Sequence, residues 1–318
     1  MSLTVAFQMD PIKQIQVAGD STYRLMVEAQ ERGHRLLEYQ PRHLSYVDGR
    51  VVAEARDVTV TPGGESHFKA GHRGMVDLGR ETDVVWMRQD PPFDIGYITA
   101  TYLLERVQGE ALVLNDPRAV RDAPEKLMVL DFADYMPPTL ITRSLPQVRE
   151  FHDEYGDIVI KPLHGKAGEG VFRVRDDGAN LAALVEMFQS LGDEPFIVQA
   201  FLPAVTAGDK RIILVDGEPI GAINRLPGKG EIRSNLAAGG RAEKVGLTVR
   251  EQEICDALAP TLKDNGLLFV GIDVIGGMLT EINVTSPTGI VALDKFDGIN
   301  SAAAIWDAVE TRLALAEQ

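Results

Sequence analysis

The 318-residue chain has one cysteine, Cys255, so no disulfide can close within it. A lone thiol suits a reducing compartment. Its setting, "REQEICDALAP", has the apolar spacing of an amphipathic helix, which predicts a core thiol rather than a nucleophile. No apolar run reaches the ~18 residues that a membrane span needs. The opening "MSLTVAFQMD" has no basic segment and too short an apolar one for a secretory signal. These absences predict a cytoplasmic location and no membrane partner. Positive charge is also scarce. Against 47 Asp and Glu stand 32 Lys and Arg, a formal net charge of −15, which argues against nucleic acid or an anionic bilayer as partner. The six histidines show no metal-ligand spacing, and His67 and His72 read as surface residues in a glycine-rich stretch. No internal repeat and no low-complexity tract is present.

With 45% hydrophobic and 25% charged residues, the composition is that of a globular protein long enough for two or three domains. The charge is unevenly spread. Residues 161–241 hold ten basic and ten acidic side chains, so this neutral segment is where an anionic small ligand is expected.

Strand patterns at "LTVAFQMD", "RLLEY", "DVVWMR" and "ALVLNDP" alternate with helix patterns. One helix is capped by Asp20 and Ser21 and closed by Gly33, and another runs through "IGYITATYLLERV". "LSYVDGRVVAE" predicts a hairpin turning at Asp48-Gly49. Residues 1–122 therefore predict an open α/β domain. Beyond "RDAPEK" the strands shorten: "TLITRS", "DIVIKPL", "GVFRVR" and "PFIVQAFL", with helices near 146–154 and 180–191. A central unit over 123–202 and a C-terminal unit over 203–318 are expected. The latter holds a hairpin turning at Asp216-Gly217, a glycine-rich segment 226–241 without periodicity, and two helices. A loop of that length is expected to act as a mobile lid.

The stretch "DVIGGMLTEINV" carries the chemistry. With a three-residue loop over 276–278, Ile275 pairs with Leu279 and Asp273 with Glu281. Asp273, Glu281 and Asn283 then share one face, while Ile272, Val274, Ile282 and Val284 share the other, a sensible core face. Two carboxylates and an amide oxygen suit a hard cation such as Mg²⁺. Upstream, Lys161 ends the apolar "IVIK" and precedes a loop with Gly165, Gly168 and Gly170. A buried lysine calls for an anionic partner, and glycines let backbone N–H groups approach phosphate oxygens. Gln199, Ala200, Phe201 and Leu202 are candidates to border a flat base; Asp209, Lys210 and Arg211 are candidates for ribose and phosphates, or for a solvated hairpin face.

In this order the parts resemble ATP-grasp ligases: two α+β subdomains gripping ATP, here after an open α/β domain. The blocks "MDP", "MRQDPPFD", "ATYLLER", "PEKL", "KPLHGKAG", "DGEPI", "SNLAAGGR" and "FVGIDVIGGMLTEINVTSPTG" are similar to the prokaryotic glutathione synthetase family over residues 9–289. The resemblance implies joining γ-glutamylcysteine to glycine through an acyl phosphate at the expense of ATP, with two Mg²⁺ ions (or Mn²⁺) and a homotetramer. It implies phosphate contacts for Lys126 and Lys161, adenine contacts for 199–202, ribose for Asp209, ATP for Gly165, Gly168 and Arg211, and metal for Asp273, Glu281 and Asn283. Arg225 would lie near the transferred phosphoryl group, with Arg233 and Arg241 in the lid. Ser286, Pro287 and Thr288 would line the dipeptide site, approached by Asp20, Ser21 and Arg88. One departure stands out: the family's glycine loop usually reads "DGMGG" where this chain has "HGKAG", adding His164 and Lys166 near the phosphates. The rivals are another ATP-grasp carboxylate–amine ligase and a silent nucleotide-binding regulator.

Overall fold

Apolar "TVAFQ" becomes the central strand β1 (Thr4–Gln8), flanked in parallel by β2 (Arg35–Tyr39) and β6 (Val84–Met87). The computed structural model describes residues 2–165, 168–228, 233–234 and 239–316. Lys166, and the parts of segment 226–241 that include Lys229 and residues 235–238 of "SNLAAGGR", lie outside the described residues. A short β7 (Leu112–Leu114) extends the sheet in parallel beyond β6.

On the other side β4 (Arg50–Val60) runs antiparallel to β2 and carries β3 (Leu44–Val47) and β5 (Phe68–Asp77). The turn between β3 and β4 has positive φ at Asp48 and Gly49 (49° and 83°), as a type I′ hairpin requires. The expected open α/β domain is thus a mixed sheet of seven strands. Residues 55–77 carry no clear strand period of their own, because β5 is exposed along most of its length and glycine interrupts it, although β4 alternates. His67 is correspondingly not a simple surface residue: its Nε2 lies 2.6 Å from the Ile12 carbonyl oxygen. His72 is exposed on β5.

The second sheet is antiparallel, in the order β10 (Phe172–Val174), β9 (Ile158–Pro162), β11 (Phe196–Ala200), β8 (Thr139–Thr142). Helices Leu145–Tyr155 and Leu181–Leu191 cover it and close a small core of its own around Val148, Ile160, Val185 and Phe196. The third sheet, also antiparallel, runs β14 (Arg241–Val245), β13 (Glu218–Leu226), β12 (Asp209–Val215), β15 (Phe269–Ile275), β16 (Met278–Asn283).

The first and third sheets share continuous cores. Phe7 and Trp86 pack in one cluster with Ile213, Phe269 and Trp306. Burial of such large side chains contributes roughly 1.5–3 kcal/mol each. Asn115 ties the same junction with polar contacts. Its Nδ2 donates to the carbonyls of Phe269 (2.8 Å) and Val284 (2.7 Å), and its Oδ1 accepts from the Phe269 amide (2.9 Å). The base of the β15–β16 hairpin is therefore held rigidly against the N-terminal sheet. Helix Val249–Asp264 buries Cys255, as its periodicity predicted. Burial pushes that thiol up to about 12. No helix among the described residues is long and apolar enough to cross a membrane.

Candidate active site

The β15–β16 hairpin reaches the expected register by another route. Gly276 and Gly277, with φ of 58° and 78°, form a two-residue loop that pairs Ile275 with Met278 and Val274 with Leu279. A bulge at Thr280 then shifts the register by one, so that Asp273 still opposes Glu281 and Gly271 opposes Asn283. The three-residue loop expected from the sequence is thereby corrected. The extra residue sits in the strand, where the Thr280 hydroxyl donates to the Asp273 carbonyl at 3.1 Å. Ile272, Val274, Ile282 and Val284 are buried on the far face, while Asp273, Glu281 and Asn283 face a cleft of about 320 Å³.

The cleft lies between the second and third sheets. From the first come Lys161 at the end of β9 and Gly165 and Gly168 in the following loop; Lys126 precedes the sheet. Lys161 and Lys126 approach Glu281 at 3.4 and 3.8 Å, and Lys126 donates to the Gly165 carbonyl at 2.9 Å. Burial opposes ionisation of Glu281, but the two ammonium groups outweigh it and hold the carboxyl below its ordinary range. Opposite them, Arg211 embraces Asp273 with two hydrogen bonds of 2.5 and 2.9 Å. Arg225 bridges Asp273 (2.9 Å) and Asp209 (2.6 Å). Burial again opposes the Asp273 charge, and the two guanidiniums override it, leaving the group well below the usual carboxylate range. Asp209 behaves differently. Its burial dominates and raises it, although Arg225 and the Ser234 hydroxyl (2.7 Å) contact its Oδ2. Its Oδ1 is buried with no hydrogen-bond partner among the described residues.

Asp209 and Arg211 are therefore not a solvated hairpin face. Only Lys210 between them points away, to Glu251 at 2.6 Å. Gln199, Ala200, Phe201 and Leu202 border the cleft where β11 ends. The amides of Ala200 and Phe201 already donate to Pro138 and Asp157 carbonyls, so a flat ligand there would use other groups of this edge. Arg233, Ser286 and Thr288 also line the cleft.

Asp20, Ser21, Arg88 and Pro287 do not line it; they support it from behind. Asp20 caps helix Ser21–Glu31 through the Tyr23 amide (2.6 Å), and the Ser21 hydroxyl accepts from the Gly289 amide (3.2 Å). Arg88 donates to Thr22 and to the Pro287 carbonyl, both at 3.0 Å, and lies over the Phe269 ring. Its Nη1 is buried without a hydrogen-bond partner among the described residues, which leaves a cationic donor beside the Ser286–Gly289 turn. Arg241 stands apart at the start of β14, largely exposed and bonded to Glu243 at 2.7 Å.

Glu125 was missed. It lies next to Lys126 in "PEKL", and nothing in its spacing distinguished it from a surface glutamate. In the fold it lines the cleft and accepts from the Thr285 hydroxyl at 3.0 Å. Burial first, and then the nearby Glu281 charge, push it up to about 7 against the pull of Lys126.

No group of three His, Cys, Asp or Glu side chains poised for a metal occurs among the described residues. The hairpin donors are two carboxylates and an amide. That set fits Mg²⁺, which takes one or two carboxylates and completes its shell with water and phosphate oxygens.

A lysine from one antiparallel sheet, and a second from the segment before it, facing carboxylates of another sheet across a cleft define an ATP-grasp ligase. The fold agrees: D-cycloserine synthetase DcsG superposes with a TM-score of 0.69 at 19% identity, covering 98% of this chain and 99% of that one. An ATP-grasp ligase PsnB, complexed with a phosphomimetic variant of minimal precursor, Mg and ADP, superposes with a TM-score of 0.62 at 18% identity, covering 100% and 99%.

The models for the prokaryotic glutathione synthetase N-terminal domain and ATP-grasp domain match residues 3–121 and 125–298. Glutathione synthetase of Brucella melitensis is 52% identical over 312 residues, 98% of this chain and 100% of the relative. That of Mesorhizobium japonicum is 51% identical over 310 residues, covering 98% and 99%, and that of Salmonella typhimurium 41% over 308, covering 96% and 98%. The chain belongs to the prokaryotic glutathione synthetase family, as its sequence blocks indicated. It is an ATP-dependent ligase of glutathione synthesis.

Proposed function

We propose that the chain joins γ-glutamylcysteine to glycine by way of an acyl phosphate, releasing ADP and phosphate. The observation that carries this reading is the meeting of Lys126 and Lys161 with Glu281, beside Asp273 and its two arginines, in one cleft. Phosphoryl transfer to a carboxylate brings several anions together, and preorganised cations offset their repulsion.

Lys126 and Lys161 hold the phosphates, aided by the backbone around Gly165 and Gly168. Gln199 to Leu202 border adenine, and Asp209, through the oxygen that has no partner among the described residues, takes a ribose hydroxyl. Asp273, Glu281 and Asn283 hold two Mg²⁺ ions, with Mn²⁺ an acceptable substitute. When bound, these neutralise phosphate charge. Arg211 and Arg225 orient Asp273 and present positive charge where the phosphoryl group passes. Ser286 and Thr288 receive the dipeptide, with Pro287 between them held by Arg88, and Ser21 and Asp20 fixing that turn. Arg233 and Arg241 belong to a segment, 226–241, that shields the acyl phosphate from water.

The units 1–122, 123–202 and 203–318 are part of the same reading. The separate core of the middle sheet supports its moving over the cleft as a body. Assembly as a homotetramer in the cytoplasm is supported by family membership and by the acidic, disulfide-free sequence.

The deciding experiment is ADP release from Mg-ATP and γ-glutamylcysteine, with and without glycine. Glycine-dependent release with glutathione detected by mass supports the reading. Release indifferent to glycine assigns another acceptor, and no release assigns a regulator.

A further inference from the structure

Arg173 stands just outside the cleft, on the face of the second sheet that opens into it. It pairs with Val159 of β9, which pairs in turn with Gln199 of β11, so the three side chains share one face. Val159 and Gln199 line the cleft and Arg173 does not. Its guanidinium lies instead over the Phe201 ring, 3.7 Å from the ring centroid. Asp157 anchors both partners. Its carboxylate accepts from the Arg173 Nε at 2.9 Å and also from Nη2, and its carbonyl accepts from the Phe201 amide at 2.8 Å. The carboxylate is fixed in turn by the Asp176 amide at 2.8 Å. Of the residues 199–202 that border the cleft, Phe201 carries the one ring. The Gln199 side-chain amide is already bonded to the Thr139 hydroxyl at 3.0 Å, and the Ala200 and Phe201 amides are engaged as well. With these donors taken, the Phe201 ring is the broadest surface this edge offers to a flat ligand, and its tilt is set from outside by Arg173.

We infer that Arg173 is a positioning residue for the nucleotide: clamped by Asp157, it holds the Phe201 ring in the attitude that receives the base, without touching the ligand itself. The inference rests on the placement of adenine at residues 199–202 given above. Arg173 lies on β10, Asp157 precedes β9 and Phe201 follows β11, so the clamp travels with the second sheet and keeps the base edge formed as that sheet moves. The planar guanidinium can stack on the ring and fork onto the carboxylate at once, which a lysine cannot do.

The test compares two ligands on the intact enzyme by calorimetry, Mg-ADP and inorganic tripolyphosphate with Mg²⁺. Both carry phosphates and only the first carries a base. Arg173→Ala is expected to weaken Mg-ADP about three- to tenfold, the scale of a cation–π contact, and to leave tripolyphosphate binding unchanged. In turnover the ATP KM should rise by a similar factor, with kcat and the glycine KM unaffected. Because Arg173 acts through the ring, its effect should vanish in a Phe201→Leu background, where Arg173→Ala adds nothing further. The inference is overturned if Arg173→Ala leaves Mg-ADP binding unchanged, if it weakens Mg-ADP and tripolyphosphate alike, or if it keeps its full effect beside Phe201→Leu. Should Phe201→Leu alone bind Mg-ADP as the wild type does, the adenine placement fails, and the inference with it; that arm is told apart by leaving Arg173 intact.

Discussion

Lys161 and Glu281, 120 residues apart and on different sheets, meet across the cleft at 3.4 Å. The pair links the strand that ends in the glycine loop to the hairpin that carries the candidate metal ligands. In the ligand-free protein each group neutralises the other. A nucleotide and its cation would replace that contact with phosphate for the lysine and metal for the carboxylate. Glu281→Gln should therefore cut ligase turnover by about 10²–10³-fold, the scale of removing one group aimed at developing charge. It should also lower the ligand-free melting temperature by several degrees, because Lys126 and Lys161 are buried and would lose their shared carboxylate partner. ADP release and a thermal melt on the same preparation check both halves.

Asn115 offers a test of rigidity without touching the cleft. Its side chain satisfies three backbone groups of the β15–β16 region, all buried. Asn115→Ala leaves them unpaired and is expected to cost about 3 kcal/mol, within the range for orphaned buried groups. Denaturant unfolding measures that loss. The glutathione-forming rate should also fall, because the hairpin base would no longer be fixed.

Much of this was legible in the sequence, and the gaps have physical causes. The donor face of the hairpin could be read because the apolar residues on the other face admit one partition into core and cleft. The bulge at Thr280 could not, since a three-residue loop and a two-residue loop plus a bulge bring Asp273 opposite Glu281 equally well. Strand β5 escaped because its pairing with β4 is a tertiary fact, while its own alternation is weak. Arg88 was assigned to the substrate from resemblance, and the fold shows why the pattern alone says nothing: its partners, Thr22 and Pro287, come from opposite ends of the chain. Glu125 carries no local mark at all. Its environment arises from burial and from Glu281, more than 150 positions away.

His34 joins the two ends of the chain and predicts an acid limb in stability. Its ring is buried against Trp306, its Nδ1 accepts from the Leu3 amide at 3.3 Å, and its Nε2 lies 3.2 Å from Glu310. These contacts select the neutral tautomer protonated on Nε2. Burial lowers its pKa, outweighing Glu310. The unfolded chain, with an ordinary value of about 6.5, then binds this proton more readily than the folded one. The contribution of neutral His34 is present above about pH 6.5 and is lost as pH falls below it toward the folded value. Unfolding free energy measured from neutral to mildly acid pH should decline more steeply for wild type than for His34→Gln.

Cys255 closes the question its solitude raises. The thiol is fully buried in helix Val249–Asp264, and burial pushes it up to about 12. At neutral pH it is not a thiolate, and the nucleophile in alkylation is the thiolate. The folded enzyme should resist iodoacetamide with full retention of ligase activity, while denatured protein takes up one equivalent. Cys255→Ala should keep turnover and cost about 1 kcal/mol for the sulfur-sized void among Ile254, Leu258 and their neighbours. Rapid alkylation of the native protein, with activity lost in step, would place a reactive thiol in the mechanism and contradict the assignment of catalysis to lysines, arginines and carboxylates alone.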